Sequence, residues 1–283
     1  MTMLDASIVA EIERNVAAAL AEDVGSGDWT AQLTPLEATA RARIICRDTA
    51  VIAGQPWVNA LFRTLDAAIS VDWTVPEGAK VTPGTTLCEL HGNARALLTG
   101  ERTALNFLQT LSAVATKTRI YVDAIEGCKA HILDIRKTLP GLRIAQKYAV
   151  RMGGGVNHRI GLYDGILIKE NHIAAAGGVT PALKEVQRIA PAGVWIQIEV
   201  ETFDQLREAL AAGAGLILLD NMSTAQMREA VTITAGRARL EASGGITLAN
   251  VREIALTGVD RISVGALTKD VKAADLSMRF SPQ

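Results

Sequence analysis

Between Arg136 and Lys169 the chain carries seven lysines or arginines (136, 137, 143, 147, 151, 159 and 169) and His158, against a single acid, Asp164. The protein as a whole has a net charge of −1, so the positive charge is a local concentration. Apolar segments flank the run on both sides, which marks a folded site rather than a solvated tail. Guanidinium and ammonium groups gathered in a pocket suit carboxylates and phosphates, and a small polyanion is the expected ligand.

These cations fall into two groups. Arg143, Lys147 and Arg151 are spaced four apart between Leu142 and Val150, the pattern of the outer, solvated face of a helix. Arg136, Lys137 and Lys169 instead directly follow apolar strands. His158 and Arg159 follow Gly153-Gly-Gly155, a turn that lets backbone approach a ligand closely. These five are the candidate cationic site residues.

A second set is acidic. Glu199 and Glu201 alternate on one predicted strand and so point to one side, and Asp220 ends the next strand. Such carboxylates either pair with neighbouring cations or, beside a phosphate site, hold Mg²⁺ and steady a developing positive charge. Ser243-Gly244-Gly245 and Val264-Gly265-Ala266 fill the last two βα turns, where phosphates bind through backbone N–H groups. Each segment alone reads equally well as a tight turn. No Cys-His arrangement appears, and Ser243 has no histidine near it in sequence. Chemistry through a cationic, sugar-phosphate transition state fits this inventory better than acyl transfer.

The elements that must position these groups are legible in the C-terminal half. Strands are expected at His131–Ile135, Gly165–Ile168, Val194–Val200, Leu216–Leu219, Leu240–Ser243 and Arg261–Val264. Capping boxes at Thr202–Gln205 and Ser223–Gln226, and a cap at Thr247, start helices that Gly213, Gly236 and Gly258 should end. Strand, cap, helix and glycine recur at roughly 20 to 30 residues, the rhythm of consecutive βα units in a parallel sheet. No Gly-x-Gly-x-x-Gly turn or Walker A loop follows any strand. A closed or nearly closed α/β barrel is therefore favoured over a dinucleotide-binding open sheet, with its polar residues at the C-terminal strand ends where barrel sites lie.

The first hundred residues read as a separate α+β domain. Asp5–Ala21 is a predicted helix, followed by β-like pieces at Ala42–Cys46, Ala50–Ala53 and Ile69–Trp73. A hairpin-like Pro76–Gly84 introduces a strand at Thr86–Leu90, and a helix from about Ala94 to Ile125 leads into the barrel. Hydrophobic residues make up 49% of the chain but aromatics only 4%, so the core is aliphatic, as in helices packed on a parallel sheet. The near-zero charge argues against nucleic acid or a membrane surface as partner. No apolar run approaches the roughly 18 residues of a spanning helix. Met1–Ser7 lacks the basic and apolar stretches of a leader, and three widely spaced cysteines form no metal or disulfide pattern. A soluble cytoplasmic protein with free thiols is expected.

Several longer motifs resemble one family. Asp134-Ile-Arg-Lys-Thr138, Leu139-Pro-Gly-Leu-Arg143, Lys147-Tyr-Ala-Val150, Gly153-Gly-Gly-Val-Asn-His-Arg159 and Leu167-Ile-Lys-Glu-Asn-His172 are similar to segments of the quinolinate phosphoribosyltransferases. So are Glu22–Thr30, Gly100-Glu-Arg-Thr-Ala-Leu-Asn106, Leu218-Leu-Asp-Asn221, Ser243-Gly-Gly-Ile246 and Val264-Gly-Ala-Leu267. The likeness covers nearly the whole chain, with the motifs in order. It implies an α/β fold: an N-terminal α/β sandwich domain over 1–113, joined by the C-terminal segment 269–283, and an incomplete TIM-like α/β barrel over 114–268. It also implies transfer of phosphoribose from phosphoribosyl pyrophosphate to quinolinate with Mg²⁺, giving nicotinate mononucleotide, pyrophosphate and CO₂, a step in NAD synthesis.

By the same resemblance Arg136, His158, Arg159 and Lys169 grip the quinolinate carboxylates, with Arg102 reaching in from the partner of a homodimer. Lys137 lies near both substrates. Glu201 and Asp220, with Glu199, face the ribose and metal. Ser243, Gly244, Gly245 and Gly265 hold the 5-phosphate. One departure stands out: Ile135 occupies a position where the family commonly has threonine. Two rival readings remain, a related group encoded with molybdate transport and a non-catalytic barrel that senses phosphorylated metabolites. The full Arg-Lys, His-Arg and Lys set argues against the first. Arg136 and Arg159, which a sensor would not need, argue against the second.

Overall fold

The computed structural model describes residues 5–281, so Met1 to Leu4 of the amino-terminal segment weighed above lie outside the described residues. The chain divides into two compact units, residues 5–119, 138–154 and 270–281 in the first and residues 120–137 and 155–269 in the second.

The first unit opens with α1 (Ala6–Asp23), started by Asp5, whose carboxylate accepts the N–H of Ile8 at 3.0 Å. Its elements continue as β1 (Thr39–Cys46), β2 (Ala50–Val51), α2 (Gln55–Leu65), β3 (Ser70–Trp73), β4 (Lys80–Val81), β5 (Thr86–Asn93) and the long α3 (Ala94–Ala124). The Pro76–Gly84 stretch is not a hairpin between adjacent strands: β4 pairs with β2, whereas β5 pairs with β1 and β3. The α2 helix has no local side-chain cap. Glu77 meets its first N–H groups instead, accepting from Gly54 at 2.7 Å and Gln55 at 3.2 Å.

The second unit starts with β6 (His131–Leu133), after which α4 (Arg143–Met152) belongs to the first unit. The α4 helix corrects one expectation: Lys147 does not lie on a solvated face, since it is 2% exposed and residues 145–150 are all buried. Long-range packing decides this, because Tyr148 donates to Glu77 at 2.9 Å and Gln146 accepts the Leu139 N–H at 2.8 Å. The spacing of cations along a helix cannot report such partners.

The second unit continues with β7 (Gly165–Ile168), α5 (Glu170–Ala176), α6 (Val179–Ile189), β8 (Trp195–Val200), α7 (Phe203–Ala211), β9 (Leu216–Asp220), α8 (Thr224–Thr234), β10 (Arg239–Ser243), α9 (Val251–Ala255), β11 (Arg261–Ser263) and α10 (Ala266–Lys269). The final strand, β12 (Leu276–Ser281), returns to the first unit and pairs with β1, giving a four-stranded antiparallel sheet in the order β12-β1-β5-β3. The capping boxes at Thr202 and Ser223 form as predicted, each side chain accepting the N–H three residues on. Thr247 does not cap α9. Asn250 is the N-cap, and its side chain turns back to accept the Thr247 N–H at 2.8 Å.

The six parallel strands run in the order β6-β11-β10-β9-β8-β7. The last barrel strand in sequence, β11, pairs with the first, so the sheet curls back on itself. Val156 bridges Leu133 on the other side of β6. Among the described residues no ladder joins Val156 to β7, and the barrel is incomplete at that seam.

Candidate active site

Strand register stacks the site in levels. Glu199, Leu218, Glu241 and Arg261 are Cα partners across β8, β9, β10 and β11, and Asp220 pairs with Ser243 one level higher. A parallel strand presents alternate side chains to one side, so these levels share the barrel interior and its C-terminal mouth. Glu201 corrects the sequence reading: it lies past the end of β8 in the exposed turn, with its N–H donated to Gln205 Oε1 at 2.8 Å. Only Glu199 is on the strand. It is buried, and its pKa is raised chiefly by that burial, against the lowering pull of Lys169, whose Nζ is 3.5 Å away. Asp220 and Glu170 add repulsion from the same side.

Arg136 follows β6, half-buried, and its buried Nε has no hydrogen-bond partner among the described residues. Arg159 donates from Nη1 to the Gly165 carbonyl at 3.1 Å. Burial, then the positive charge of Arg136, lowers the Arg159 pKa, so the two guanidiniums repel each other across the mouth. The Asp164 carboxylate pulls the other way, and the unspent Arg136 Nε is a donor that an anionic group can take. Lys137 is exposed, and its aliphatic stem passes Gly265: a Cβ on that glycine would lie 3.5 Å from Lys137 Cδ and 3.0 Å from Ile135 Cδ1. Ile135 thus fills space against Gly265 by apolar contact.

The ends of β9 and β10 are tied to each other. Asn221 adopts a left-handed φ of 52°, donates from Nδ2 to Asp220 at 2.8 Å, and donates its backbone N–H to Ser243 O at 3.0 Å. Gly244 sits against it with a φ of 97°, and a Cβ there would lie 2.0 Å from Asn221 Oδ1. Gly245 also has a left-handed φ of 59°, in open space. A non-glycine residue in the left-handed region at a carboxylate-bearing strand end is strain of the kind that collects at functional sites.

His158 is placed differently from the other cationic residues. It is 7% exposed, and both ring nitrogens are engaged: Nδ1 accepts the Arg159 N–H at 2.8 Å, and Nε2 faces Gln197 Oε1 at 3.0 Å. Its own N–H is taken by the buried Asp134 at 2.9 Å, which also receives Asn157 Nδ2 at 2.6 Å. Gln197, Glu241, Trp195, Gly165 and Asn221 were not singled out from the sequence. The available signal was a polar residue inside an apolar strand, at Gln197 and Glu241. Arg102 lies on α3 in the first unit, with its side chain exposed.

Among the described residues no three His, Cys, Asp or Glu side chains gather as a metal cage. Mg²⁺ keeps most of its waters and takes one or two carboxylates plus substrate phosphates, so it needs no such cage, and Glu201, exposed past β8, and Asp220, at the end of β9, are carboxylates of the required kind. No helix of the described residues is long and apolar enough to cross a membrane.

Residues 28–112 match the family model for the quinolinate phosphoribosyl transferase N-terminal domain, and residues 114–279 match that for the C-terminal domain. A probable nicotinate-nucleotide pyrophosphorylase (carboxylating) of Bacillus subtilis is 45% identical over 257 residues, 91% of this chain and 89% of that one. A quinolinate phosphoribosyltransferase (decarboxylating) of Nicotiana tabacum is 39% identical over 285 aligned residues, 94% of this chain and 81% of that one. The structure of the nicotinate-nucleotide pyrophosphorylase from Francisella tularensis superposes with a TM-score of 0.93 at 44% identity, covering 96% of each chain. With both domains matched in order across the paired guanidiniums and the tied strand ends, this chain belongs to the quinolinate phosphoribosyltransferase family.

Proposed function

We propose that this chain joins quinolinate to the phosphoribosyl group of phosphoribosyl pyrophosphate and releases pyrophosphate and CO₂, leaving nicotinate mononucleotide, with the strand-end residues of the second unit as its machinery. The observation that carries the assignment of roles is the pair of guanidiniums, Arg136 and Arg159, held close enough to repel beside carboxylates on neighbouring strand ends. A dicarboxylate relieves that repulsion, and Lys169 adds a third cation on the same mouth.

Held by these cations, the ring nitrogen of quinolinate is aligned on the ribose carbon that carries pyrophosphate, and alignment supplies much of the rate. As pyrophosphate leaves, positive charge grows on the ribose, and Asp220 and Glu201 face it with negative charge. Ser243, Gly244, Gly245 and Gly265 hold the 5-phosphate, and Lys137 bridges the two substrates. Once the nitrogen is alkylated the ring is cationic. The bond to the 2-carboxylate then breaks, its electron pair stays on the ring carbon, and that carbon takes a proton. The arginines must hold the carboxylate without over-stabilising it, which is differential binding. Glu201 and Asp220 would hold Mg²⁺, which supplies charge neutralisation to the departing pyrophosphate.

We also propose a homodimer in which Arg102 completes the partner's site. Residues 28–36 lie against the start of α3: Thr99 donates to Asp28 at 2.9 Å, Arg95 to Thr34 O at 2.6 Å and Asn93 to Leu36 O at 2.7 Å. Trp29, Leu33 and Leu36 are 75%, 86% and 62% exposed there, and Leu98, one helical turn before Arg102, is 38% exposed. An apolar patch of this kind beside an unspent arginine suits a second copy. Arg102→Ala should remove turnover while leaving the dimer folded. Mixed with Arg159→Ala, it should regain about a quarter of wild-type activity, the share that random pairing gives when a site is built from two subunits. No recovery on mixing would overturn a role for Arg102 across the interface.

The assay that tests the reaction incubates the protein with quinolinate, phosphoribosyl pyrophosphate and Mg²⁺, with nicotinate as the control acceptor, and follows nicotinate mononucleotide and CO₂. Product from quinolinate alone supports the decarboxylating transferase. A folded protein giving none from either acid would rule it out.

A further inference from the structure

Glu241 is a glutamate with no exposed surface in the middle of β10. Its carboxylate receives Ser263 Oγ at 2.8 Å and Gln197 Nε2 at 3.1 Å, with Arg261 Nε at 3.0 Å and His158 Nε2 at 3.4 Å. Burial would push its pKa up, but the contacts from His158, Arg261 and Ser263 outweigh that, and the group is an anion.

These donors dictate the rest of the chain of hydrogen bonds. Because Gln197 gives its amide N–H to Glu241, its carbonyl oxygen is the atom facing His158 Nε2. An oxygen there needs an N–H, so the imidazole carries its proton on Nε2. Nδ1 then keeps a lone pair, which accepts the backbone N–H of Arg159. The arrangement is braced on the other side as well. Trp195 packs edge-on to the His158 ring at 5.1 Å and fills the space beside Gly165, where a Cβ would lie 2.5 Å from the indole. Gly165 in turn supplies the carbonyl that holds the Arg159 guanidinium.

We propose that Glu241 fixes the tautomer of His158 and thereby the aim of Arg159, making an anion sealed in the barrel a positioning residue for substrate binding at its mouth. The inference rests on Arg159 binding the acidic substrate, as read above. It assigns His158 to orientation, because neither ring nitrogen is left over for a ligand.

The tautomer can be read without turnover. In protein carrying ¹⁵N-labelled histidine, with four histidines to resolve, His158 should show Nδ1 as a lone-pair nitrogen and Nε2 as an N–H. In Glu241→Gln an amide joins donors already crowded at that point, so Gln197 turns over and the His158 proton moves to Nδ1. The Arg159 N–H then loses its acceptor, and the KM for quinolinate should rise about tenfold or more with the KM for phosphoribosyl pyrophosphate unchanged. Combining Glu241→Gln with Gln197→Glu returns an anion to His158 and should restore both the tautomer and the KM.

A His158 that keeps its Nε2 proton in Glu241→Gln overturns the proposal. So does an equal rise in both KM values, or a double variant that rescues neither quantity. If Glu241→Gln does not fold, the wild-type spectrum and the double variant still decide, since a proton on Nδ1 in the wild type refutes the chain of donors outright. A wild-type protein without turnover but with the expected spectra would instead reject the functional reading and leave the tautomer linkage standing.

Discussion

Arg159→Ala should lower kcat/KM for quinolinate by about 30- to 5,000-fold, the range given by truncating one partner of a buried, hydrogen-bonded charge pair at about 2–5 kcal/mol. The prediction follows from how the side chain is held. Arg159 is half-buried, tied by Nη1 to Gly165 O, and set against Arg136, so it is an organised cation before any ligand arrives. Its removal takes away a preformed contact and leaves a substrate carboxylate one cation short. Folding should survive, because the charge it removes is one that Arg136 repels. Arg159→Lys should recover only part of the loss, since a point charge cannot reproduce two parallel N–H donors. Steady-state kinetics beside a far-ultraviolet circular dichroism spectrum separate these effects. A loss confined to the KM for phosphoribosyl pyrophosphate would move Arg159 to the other substrate.

Gly244→Ala is the second large effect. The backbone there is left-handed at a φ of 97°, and the added methyl would lie 2.0 Å from Asn221 Oδ1 and 3.2 Å from Asn221 Cα. Asn221 cannot yield freely, being itself left-handed and bound to both Asp220 and Ser243. Whichever residue moves, the end of β9 moves with it, and Asp220 loses its place. We expect a stability loss of about 1–3 kcal/mol from the backbone strain and a fall of about 10²-fold in kcat/KM for phosphoribosyl pyrophosphate from the misplacement. Gly213→Ala, at the end of α7 and away from the site residues, is the matched control, with a similar left-handed φ of 80° but nothing within 4 Å. It should cost stability alone. Equal kinetic losses in the two variants would show that the fit of Gly244 against Asn221 does not matter to the reaction.

What could be read from the sequence divides along one physical line. The helices α7 and α8 announce themselves because their first N–H groups are met three residues away, by Thr202 and Ser223. The α2 helix does not, because Glu77 performs that task from 22 residues further along the chain, and Gly54-Gln55-Pro56 looks like a turn on its own. The same holds for the site. Arg136, Lys169, Asp220 and Ser243 were visible as polar residues where apolar strands stop. Glu241 was hidden, since its partners sit on β8 and β11 and in the loop after Val156. Lys147 shows the converse error, a cation spaced like a surface residue but buried by contacts that spacing cannot report. Glu201 was misplaced by one step of a strand that ends at Val200.

The missing ladder between Val156 and β7 has a consequence for motion. Side chains close that seam: the Arg159 guanidinium is on the Gly165 carbonyl, and the Trp195 ring lies between His158 and Gly165. A backbone ladder opens only with the sheet, but a side-chain closure opens when one arginine lets go. Residues 160–164, which the β7–β8 ladder does not hold, therefore form the stretch whose opening this arginine governs, and it is the arginine assigned to the substrate. Occupancy of Arg159 and closure of the seam are then linked equilibria. A ligand that tightens the arginine slows amide hydrogen exchange along residues 160–164, and anything that loosens that stretch weakens the ligand by the same factor.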